Sequence, residues 1–337
     1  MRIIVDAMGG DLAPKEIVLG ALSAAKRGIP VTLVGRMDLM QRVLKEADAP
    51  LPSDLELVYA ESIVEMHDDP VKVIRQKPDA SMIVGLRLLA EGKGDAFVSA
   101  GSTGALLTAA TLIVKRIRGI RRAAMGPILP STKGRFVLMD CGANAECTPD
   151  FLLQFALMGS HYAEAVLSIT RPRVALLNIG TEETKGGSLQ REAFALLTEA
   201  SKRGAINFVG NIEARDVLQG MADVVVADGF SGNILLKSIE GTALYFSGLL
   251  KGVFKKNLLT MLAAGICRGG IRSIKDCMDY RKTGGTAFIG LQKPVIKAHG
   301  ASDRVAIENA IMQASRDAEK NIADSIRSSI QSGDEQP

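Results

Sequence analysis

The chain has 337 residues, enough to bury a large core as one big α/β domain or as two smaller ones. Hydrophobic residues make up 47% of the chain and charged residues 23%, which is typical of a soluble globular protein and excludes disordered and fibrous classes. The net charge of +4 is too small to indicate nucleic-acid binding, and no apolar run reaches the roughly 18 residues that a membrane-spanning helix needs.

The beginning of the chain and the cysteines both indicate a cytoplasmic protein. MRIIVDAMGG has the pattern of a strand and a turn and lacks the apolar stretch of a signal peptide. The four cysteines (Cys141, Cys147, Cys267 and Cys277) form no C-x-x-C pair, and no histidine lies at zinc-finger spacing. We therefore expect reduced thiols and no metal site.

Short β-branched runs alternate with helical patterns along most of the chain. The predicted strands are Arg2–Asp6, Val31–Val34, Asp95–Ser99, Arg135–Asp140, Val174–Ile179, Ile206–Val209, Asp223–Ala227, Ala287–Ile289 and Val295–Ile296. The predicted helices between them are Lys15–Lys26, Asp38–Ala47, Met82–Glu91, Ala105–Arg116, Asp150–Leu167 and Leu189–Arg203. This order predicts an α/β fold with a doubly wound parallel sheet that binds its ligands at the carboxyl ends of the strands.

The alternation stops in one segment, 240–282, where the pattern is helical throughout. A last helix is predicted from Asp303 to Ser329, followed by a disordered tail at 330–337. The chain shows no internal repeat and no linker rich in proline or serine. We therefore predict a single domain over 1–337, with 240–282 as a helical excursion.

Glycine-containing loops follow the strands, where this fold class places ligand contacts. Asp6 ends the first strand, and Gly9 and Gly10 allow close approach of a ligand, although a plain tight turn explains them equally well. The second loop, SAGSTGA, leads into an apolar helix whose unpaired N–H groups favour an anion, and a capped helix start is the alternative. Its candidate substrate contacts are Ser99, Gly101, Ser102, Thr103 and Gly104.

The third loop, DCGANAECTPD at 140–150, offers Asn144 as a further candidate substrate contact. Cys141 could in principle act as a nucleophile. No base stands beside it in the sequence, so a buried thiol without catalytic function is the favoured interpretation.

The three later loops offer four polar candidates. Lys185 lies in NIGTEETKGG, at a sheet edge where an ammonium can contact phosphate, although most lysines are only surface residues. Asp228 and Asn233 lie in ADGFSGNILLK, where the Asn233 amide either caps a helix or donates to a ligand oxygen. His299 lies near a loop mouth in KPVIKAHGASD, although a lone histidine is more often structural.

Seven stretches of the chain resemble the acyl-carrier-protein-dependent phosphate acyltransferases of bacterial phospholipid synthesis. They are VDAMGGD, VSAG-TGA, D-GAN, LLNIGTEE-KG, INFVGN-EARD, DVVV-DGF-GN-LK and PVIKAHG-SD. They follow the family's order over nearly the whole chain, which makes the resemblance far more specific than any single loop.

The resemblance implies a Rossmann-like three-layer αβα sandwich, similar to isopropylmalate dehydrogenases and phosphotransacetylases. It implies a homodimer at the inner face of the cell membrane, without a cofactor, that makes a fatty acyl phosphate from acyl carrier protein and inorganic phosphate. The product would supply a membrane glycerol-3-phosphate acyltransferase. Lys185 and Asn233 match positions that the family uses at its active site and are carried over as catalytic candidates.

The chain departs from the family's pattern at three positions. Leu12 stands where the family usually has histidine, which excludes an essential histidine there. Ser102 replaces a usual asparagine and keeps a hydrogen-bonding group, and Cys141 replaces a common valine, which weakens the thiol hypothesis further.

Two other functions are compatible with this fold class. A nicotinamide-dependent 2-hydroxyacid dehydrogenase is the first, but the chain lacks G-x-G-x-x-G after its strands and shows no metal carboxylate cluster. A lipid or carrier-protein binding module is the second, and six polar glycine loops at strand ends argue against it.

The helical segment 240–282 carries its own functional pattern. Leu258 and Leu262 belong to an apolar helix too short to span a bilayer, and the cations Arg268, Arg272 and Lys275 follow it. An apolar tip surrounded by cations predicts an interfacial membrane anchor. The same cations could instead contact an acidic carrier protein, and a helix pair buried in a dimer interface is the third possibility.

Overall fold

The computed structural model describes residues 1–48, 51–270 and 284–334. Twelve strands lie in these ranges: β1 (Ile3–Asp6), β2 (Val31–Gly35), β3 (Leu55–Tyr59), β4 (Ala96–Ser99), β5 (Ala124–Gly126), β6 (Ile128–Ser131), β7 (Gly134–Met139), β8 (Arg173–Asn178), β9 (Asn207–Glu213), β10 (Val224–Val226), β11 (Thr286–Ile289) and β12 (Val295–Lys297).

Eleven α-helices lie in the same described ranges. They are α1 (Lys15–Lys26), α2 (Met37–Glu46), α3 (Val73–Gln76), α4 (Ser81–Ala90), α5 (Thr103–Ile113), α6 (Pro149–Leu167), α7 (Ser188–Lys202), α8 (Gly229–Phe254), α9 (Leu258–Ile266), α10 (Arg304–Glu319) and α11 (Ile322–Asp334). None of the helices in the described part of the chain combines the length and the hydropathy needed to cross a bilayer.

The strands form two sheets, with the orders β3-β2-β1-β4-β12-β11-β5 and β6-β7-β10-β8-β9. The first five strands of the larger sheet are parallel, as are β7, β10, β8 and β9 of the smaller one. Parallel strands end at the same edge, so each sheet gathers its strand-following loops at one edge.

Alternate residues of the central strands pack into two separate apolar layers. Ile3 and Val5 belong to one buried cluster, whereas Ile4 between them belongs to the other. Val224 and Val226 likewise join the first cluster and Val225 the second. Both faces of each sheet are therefore covered, as the continuously apolar strands predict, and the first cluster includes residues of both sheets. The α/β sandwich expected from the sequence is confirmed.

All nine predicted strands are present, with ends that differ by a few residues at most, but β3, β5 and β6 were missed. Strand β5 reads Ala-Met-Gly and contains no β-branched residue. A Cβ at Gly126 would lie 2.5 Å from Ile289 Cδ1, so tertiary packing selects a glycine that local propensity disfavours. Strand β6 contains Pro130, which lowers its strand propensity, and it pairs antiparallel with β7 at a sheet edge.

The six helices predicted between strands are confirmed within three residues at either end, but the single helix predicted over Asp303–Ser329 is wrong. The helix is interrupted between α10 and α11 at Asn321, whose φ of 48° lies in the left-handed region. Helix α11 then continues to Asp334, so the first part of the segment predicted as a tail is helical. Ile330 explains this continuation because it packs against the main apolar cluster.

A buried polar network joins α6 to α10. The Tyr162 hydroxyl donates to Asp317 Oδ2 at 3.3 Å, and Gln313 Nε2 donates to the Tyr162 oxygen at 3.4 Å. Asp317 is 2% exposed, and its Oδ1 has no hydrogen-bond partner within the described residues. Burial raises the pKa of Asp317 from 3.8 to about 7.

This carboxyl group should make stability fall as the pH rises. Between the unfolded pKa of 3.8 and the folded pKa of about 7, the folded protein retains a proton that the unfolded chain releases. The free energy of unfolding therefore falls by up to about 1.4 kcal/mol for each pH unit in this range. Asp317→Asn removes this dependence, since its amide oxygen can still accept from Tyr162. Urea unfolding at pH 5 and pH 8 should show the variant gaining stability relative to wild type at pH 8. An identical pH dependence of the two proteins would contradict this assignment.

Candidate active site

A cleft of about 420 Å³ opens between the two sheets. The larger sheet contributes Thr103 from the start of α5, Met125 from β5, and residues on and beside β11 and β12. The smaller sheet contributes β6, the loop after β7 and one face of α8. The lining residues are Thr103, Met125, Pro127, Ile128, Leu129, Pro130, Cys141, Gly142, Asn233, Leu236, Lys237, Ile239, Glu240, Ala243, Gly284, Gly285, Thr286, Lys297, Ala298 and His299.

Asp6 supports the larger sheet's side of the cleft from beneath. Its carboxylate is buried and accepts from Ser81 Oγ at 2.6 Å and Ser99 Oγ at 2.7 Å. A Cβ at Gly9 would lie 2.5 Å from Asp6 Oδ2, so only glycine permits this approach. Burial raises the pKa of Asp6, and the two serine hydroxyls oppose that shift. Asp6 and Ser99 do not line the cleft; their hydrogen bond connects β1 to β4 behind it.

The predicted anion loop reaches the cleft through one residue. Gly101 N donates to Ser99 Oγ at 3.0 Å, and Ser102 is buried at the N-cap position without a side-chain capping bond. Thr103, the first residue of α5, lines the cleft, whereas Gly104 is exposed beside Pro70. The structure therefore brings Thr103 to the cleft and leaves the rest of the loop behind it.

Gly10 joins this loop to the one that follows β12. Its φ of 102° is left-handed, and a Cβ there would lie 2.9 Å from Ala100 Cβ. The neighbouring Asp11 N donates to Gly300 O at 2.8 Å. His299, which precedes Gly300, is exposed at the mouth of the cleft, and its Nδ1 accepts from Ala301 N at 3.3 Å.

Lys297 is the cleft residue that the sequence analysis missed. It is the last residue of β12, is 9% exposed, and donates from Nζ to Ala100 O at 3.3 Å and to Ala298 O. Its pKa is lowered from 10.5 to about 8, mainly by burial; the charge of Lys237 acts in the same direction, and those of Asp11 and Asp6 oppose the shift. A lysine that ends an otherwise apolar strand was the available signal.

Asp140 organises the smaller sheet's side. Its buried carboxylate accepts from Asn144 N at 2.7 Å, Asn144 Nδ2 at 3.0 Å and Met125 N at 2.9 Å. Asn144 Nδ2 also donates to Ala123 O at 2.9 Å, so this predicted substrate contact fixes the loop and does not line the cleft. Burial, reinforced by the Asp140 charge, raises the pKa of Cys141 well above its usual range. A thiol that stays protonated is a poor nucleophile, as the sequence indicated.

The first turn of α8 packs directly against this loop. A Cβ at Gly229 would lie 2.5 Å from Asn144 O, and one at Gly232 would lie 1.9 Å from Asp140 O. Asp228 caps the helix by accepting from Ser231 N and Ser231 Oγ, each at 2.8 Å. Because Asp228 is the cap, the capping interpretation of Asn233 is wrong: Asn233 lies within α8, is exposed, and faces the cleft.

Lys185 lies outside the cleft. Its side chain is 47% exposed, and Nζ lies 3.8 Å from Glu182 Oε1. Asn178 Nδ2 donates to Lys185 O at 3.1 Å, and Asn211 Nδ2 donates to Glu182 O at 2.9 Å, so the backbone of its loop is held in place. The loop follows β8, and β10 separates β8 from β7 in the sheet order. Lys185 thus shares the carboxyl edge with Asn233 but is not among the cleft residues.

Two ammonium groups and a largely apolar wall share the cleft. Lys237 Nζ pairs with Glu240 Oε2 at 2.8 Å on α8, and Lys297 lies on β12. Within residues 1–48, 51–270 and 284–334, no three His, Cys, Asp or Glu side chains lie close enough together to hold a metal ion. The two ammonium groups and the apolar wall can bind an anion that carries an apolar group.

The far end of α8 and the whole of α9 expose a large apolar surface. Its most exposed members are Leu244 at 73%, Leu259 at 77% and Ile266 at 88%, and Leu262 and Arg268 are exposed as well. Three residues that the sequence predicted at this tip lie outside the described part of the structure: Arg272 and Lys275 entirely, and Leu258 in its side chain. The surface defined by α8 beyond Ala243 and by α9 is called the helical tip below.

Packing at the start of α8 generates a test with a matched control on the same helix. Gly232→Ala places a methyl group against Asp140 O, so we expect a loss of several kcal/mol of stability or a displaced α8. Gly241→Ala meets no atom within 4 Å and should be neutral or stabilising by about 1 kcal/mol, since alanine favours helix. Chemical denaturation of both variants checks this, and equal stabilities would contradict the close approach.

Sequence comparisons identify the family. A model described as "Fatty acid synthesis protein" matches residues 1–325. A phosphate acyltransferase from Oceanobacillus iheyensis is 46% identical over 334 residues, which cover 98% of this chain and 98% of that protein. One from Thermoanaerobacter pseudethanolicus is 45% identical over 338 residues, covering 99% of each chain.

Solved structures with the same fold include two kinds of enzyme. A phosphotransacetylase from Streptococcus pyogenes superposes with a TM-score of 0.64 at 17% identity, covering 95% of this chain and 94% of that one. A 4-hydroxythreonine-4-phosphate dehydrogenase from Klebsiella pneumoniae gives a TM-score of 0.55 at 15% identity, covering 94% and 98%. These likenesses confirm the fold, and the sequence relatives assign the chain to the fatty acid synthesis protein family, among the enzymes named phosphate acyltransferase.

Proposed function

We propose that the enzyme transfers a fatty acyl group from acyl carrier protein to inorganic phosphate, and that the reaction takes place in the cleft between the sheets. One observation carries the proposal: the same cleft holds a buried ammonium, Lys297, and an apolar wall that includes Ile128, Leu129 and Leu236. A fatty acyl phosphate matches both features, since its dianionic phosphate group can bind the ammonium and its hydrocarbon chain can pack against the apolar wall.

The chemistry needs no covalent enzyme intermediate. A phosphate oxygen attacks the thioester carbonyl carbon, the carbon–sulfur bond breaks, and the carrier thiolate leaves and takes up the proton that hydrogen phosphate loses. The products are an acyl phosphate and the free carrier thiol. The protein contributes positioning and stabilisation of the negative charge that develops on the carbonyl oxygen.

Asn233 and Lys185 have different positions relative to this reaction. The Asn233 amide faces the cleft and would donate to the phosphate or to the developing oxyanion. Lys185 would add positive charge from its loop at the carboxyl edge once the bulky carrier-bound thioester approaches. Thr103 and His299 are the other predicted substrate contacts that line the cleft, whereas Gly104 is exposed beside Pro70 and Asp228 caps α8.

The fold also occurs in dehydrogenases, so a nicotinamide-dependent dehydrogenase is the alternative function to test. The sequence relatives named phosphate acyltransferase favour acyl transfer. A module that only binds lipid or carrier protein would not need the buried ammonium of Lys297 in an apolar cleft.

We further propose that the helical tip contacts the cytoplasmic face of the membrane. An exposed row of large apolar side chains is unfavourable in water and is stabilised at a lipid interface, where Arg268 and Lys251 attract anionic headgroups. The enzyme would then work as a homodimer beside the membrane glycerol-3-phosphate acyltransferase that uses its product.

The reaction is tested by following free carrier thiol released from acyl carrier protein, with and without inorganic phosphate and without nicotinamide. Release that depends on phosphate is expected. Asn233→Ala should lower turnover about a hundredfold, since a preorganised donor contributes about 3 kcal/mol, while its thermal melt stays normal because Asp228 caps the helix. Lys185→Ala should also lower turnover, and Lys133→Ala, at another loop, serves as the control. Thiol release that ignores phosphate would contradict the proposed function.

The membrane contact is tested by Leu259→Glu combined with Leu262→Glu, assayed by flotation with vesicles that contain anionic lipid. Both side chains are more than half exposed, so the fold should tolerate the change. We expect flotation to be lost while activity on soluble acyl carrier protein remains. Leu112→Glu on α5, which is 58% exposed, is the matched control and should float normally. Flotation retained by the double variant would contradict the anchor, and a loss of the dimer would assign the tip to the subunit interface.

A further inference from the structure

We infer that Lys297, with Lys237 facing it across the cleft, forms the site that holds the phosphate group before the carrier protein arrives. This inference rests on the proposed function and names the group that binds one of its substrates. The ligand class is a tetrahedral dianion, supplied either as inorganic phosphate or as the phosphate of the acyl phosphate product.

The bonds of Lys297 leave it one donor for a ligand. An ammonium carries three N–H groups, and the described contacts are two, to Ala100 O and Ala298 O. Both acceptors belong to loops at the carboxyl edge of the larger sheet. These bonds hold the ammonium at the end of β12, so that its remaining N–H is available on the side of the cleft.

Lys297 has no salt-bridge partner in the described part of the chain. The charges of Asp11 and Asp6 favour its ammonium form, but neither carboxylate is in ion-pair contact with it, and that of Asp6 is bonded to Ser81 and Ser99. Keeping an ammonium that is 9% exposed without an anion costs free energy, and the cost is offset when an anion binds beside it. An anion-binding function explains why a lysine occupies this position.

Lys237 strengthens the preference for a dianion. It lines the same cleft from α8, and its charge acts in the direction that lowers the pKa of Lys297. Its ammonium is paired with Glu240 Oε2 at 2.8 Å, and a dianion bound beside both lysines gives it a second anionic partner. Thr103 adds a hydroxyl donor at the start of α5, and the apolar wall around Leu236 leaves room for an acyl chain.

The inference is tested by Lys297→Met, using inorganic phosphate as the probe. Titration calorimetry without carrier protein should show phosphate affinity falling about 10- to 100-fold, as expected when a charge-assisted hydrogen bond is lost, and the KM for phosphate should rise by a similar factor. Lys293→Met is the matched control, since Lys293 lies beyond the other end of β12 and donates to Gly94 O. Unchanged phosphate affinity in a folded Lys297→Met variant overturns the inference.

Wild-type enzyme supplies a second measurement that does not depend on a variant folding. The charged and titratable groups around Lys297 are Asp6, Asp11, Lys237, Glu240 and His299. Because the pKa of Lys297 is about 8, phosphate affinity should begin to fall above that pH, where the charge of phosphate itself is nearly constant. Affinity that stays constant from pH 7 to about pH 9.5 overturns the inference.

The two proposals fail in distinguishable ways. Wild-type enzyme that binds phosphate through Lys297 but releases no carrier thiol would refute the acyl transfer and leave the phosphate site standing. Phosphate-dependent thiol release that Lys297→Met does not affect would refute the site alone. Sulfate added together with phosphate should compete with it for binding. Sulfate added in place of phosphate should support no turnover.

Discussion

The close approach between the first turn of α8 and the loop after β7 fixes the geometry of the cleft. Gly232 lies so near Asp140 O that no side chain fits between them, and Gly229 approaches Asn144 in the same way. Asp140 holds the loop from within by accepting the Asn144 amide. The direction of α8 follows from this contact. Its near half turns Asn233 and Lys237 toward the larger sheet, and its far half carries the helical tip away from the core.

The larger sheet uses a buried carboxylate in a comparable way. Asp6 accepts from serines of two different elements and leaves room only for glycine at position 9, which brings the loops after β1 and β4 together. The Ala100 carbonyl in that assembly is an acceptor for Lys297. Each sheet thus places one buried aspartate under its loops and one cation in the cleft.

The sequence predicted the fold class and nearly all central strands because those strands are continuously apolar and both faces are buried. It missed β5 and β6, whose residues are chosen by contacts with distant parts of the chain. Among the candidate site residues, the motifs do not distinguish a residue that lines the cleft from one that lies behind it: Asp6 and Asn144 make hydrogen bonds within the loops, whereas Asn233 faces the cleft. Lys297 was missed because a lysine that ends an apolar strand is only a weak signal, since the sequence does not show that the side chain is buried. Contacts between residues of two separate loops depend on the packing of the whole domain, which no single segment of the sequence encodes.

The decisive measurement is a crystal structure with a stable acyl phosphonate, in which carbon replaces the bridging oxygen of acyl phosphate. We expect the phosphonate group between Lys297 and Lys237, within hydrogen-bond distance of Asn233, and the acyl chain along the wall formed by Ile128, Leu129 and Leu236. A phosphonate bound at the Lys185 loop, with the cleft between the sheets unoccupied, would contradict it.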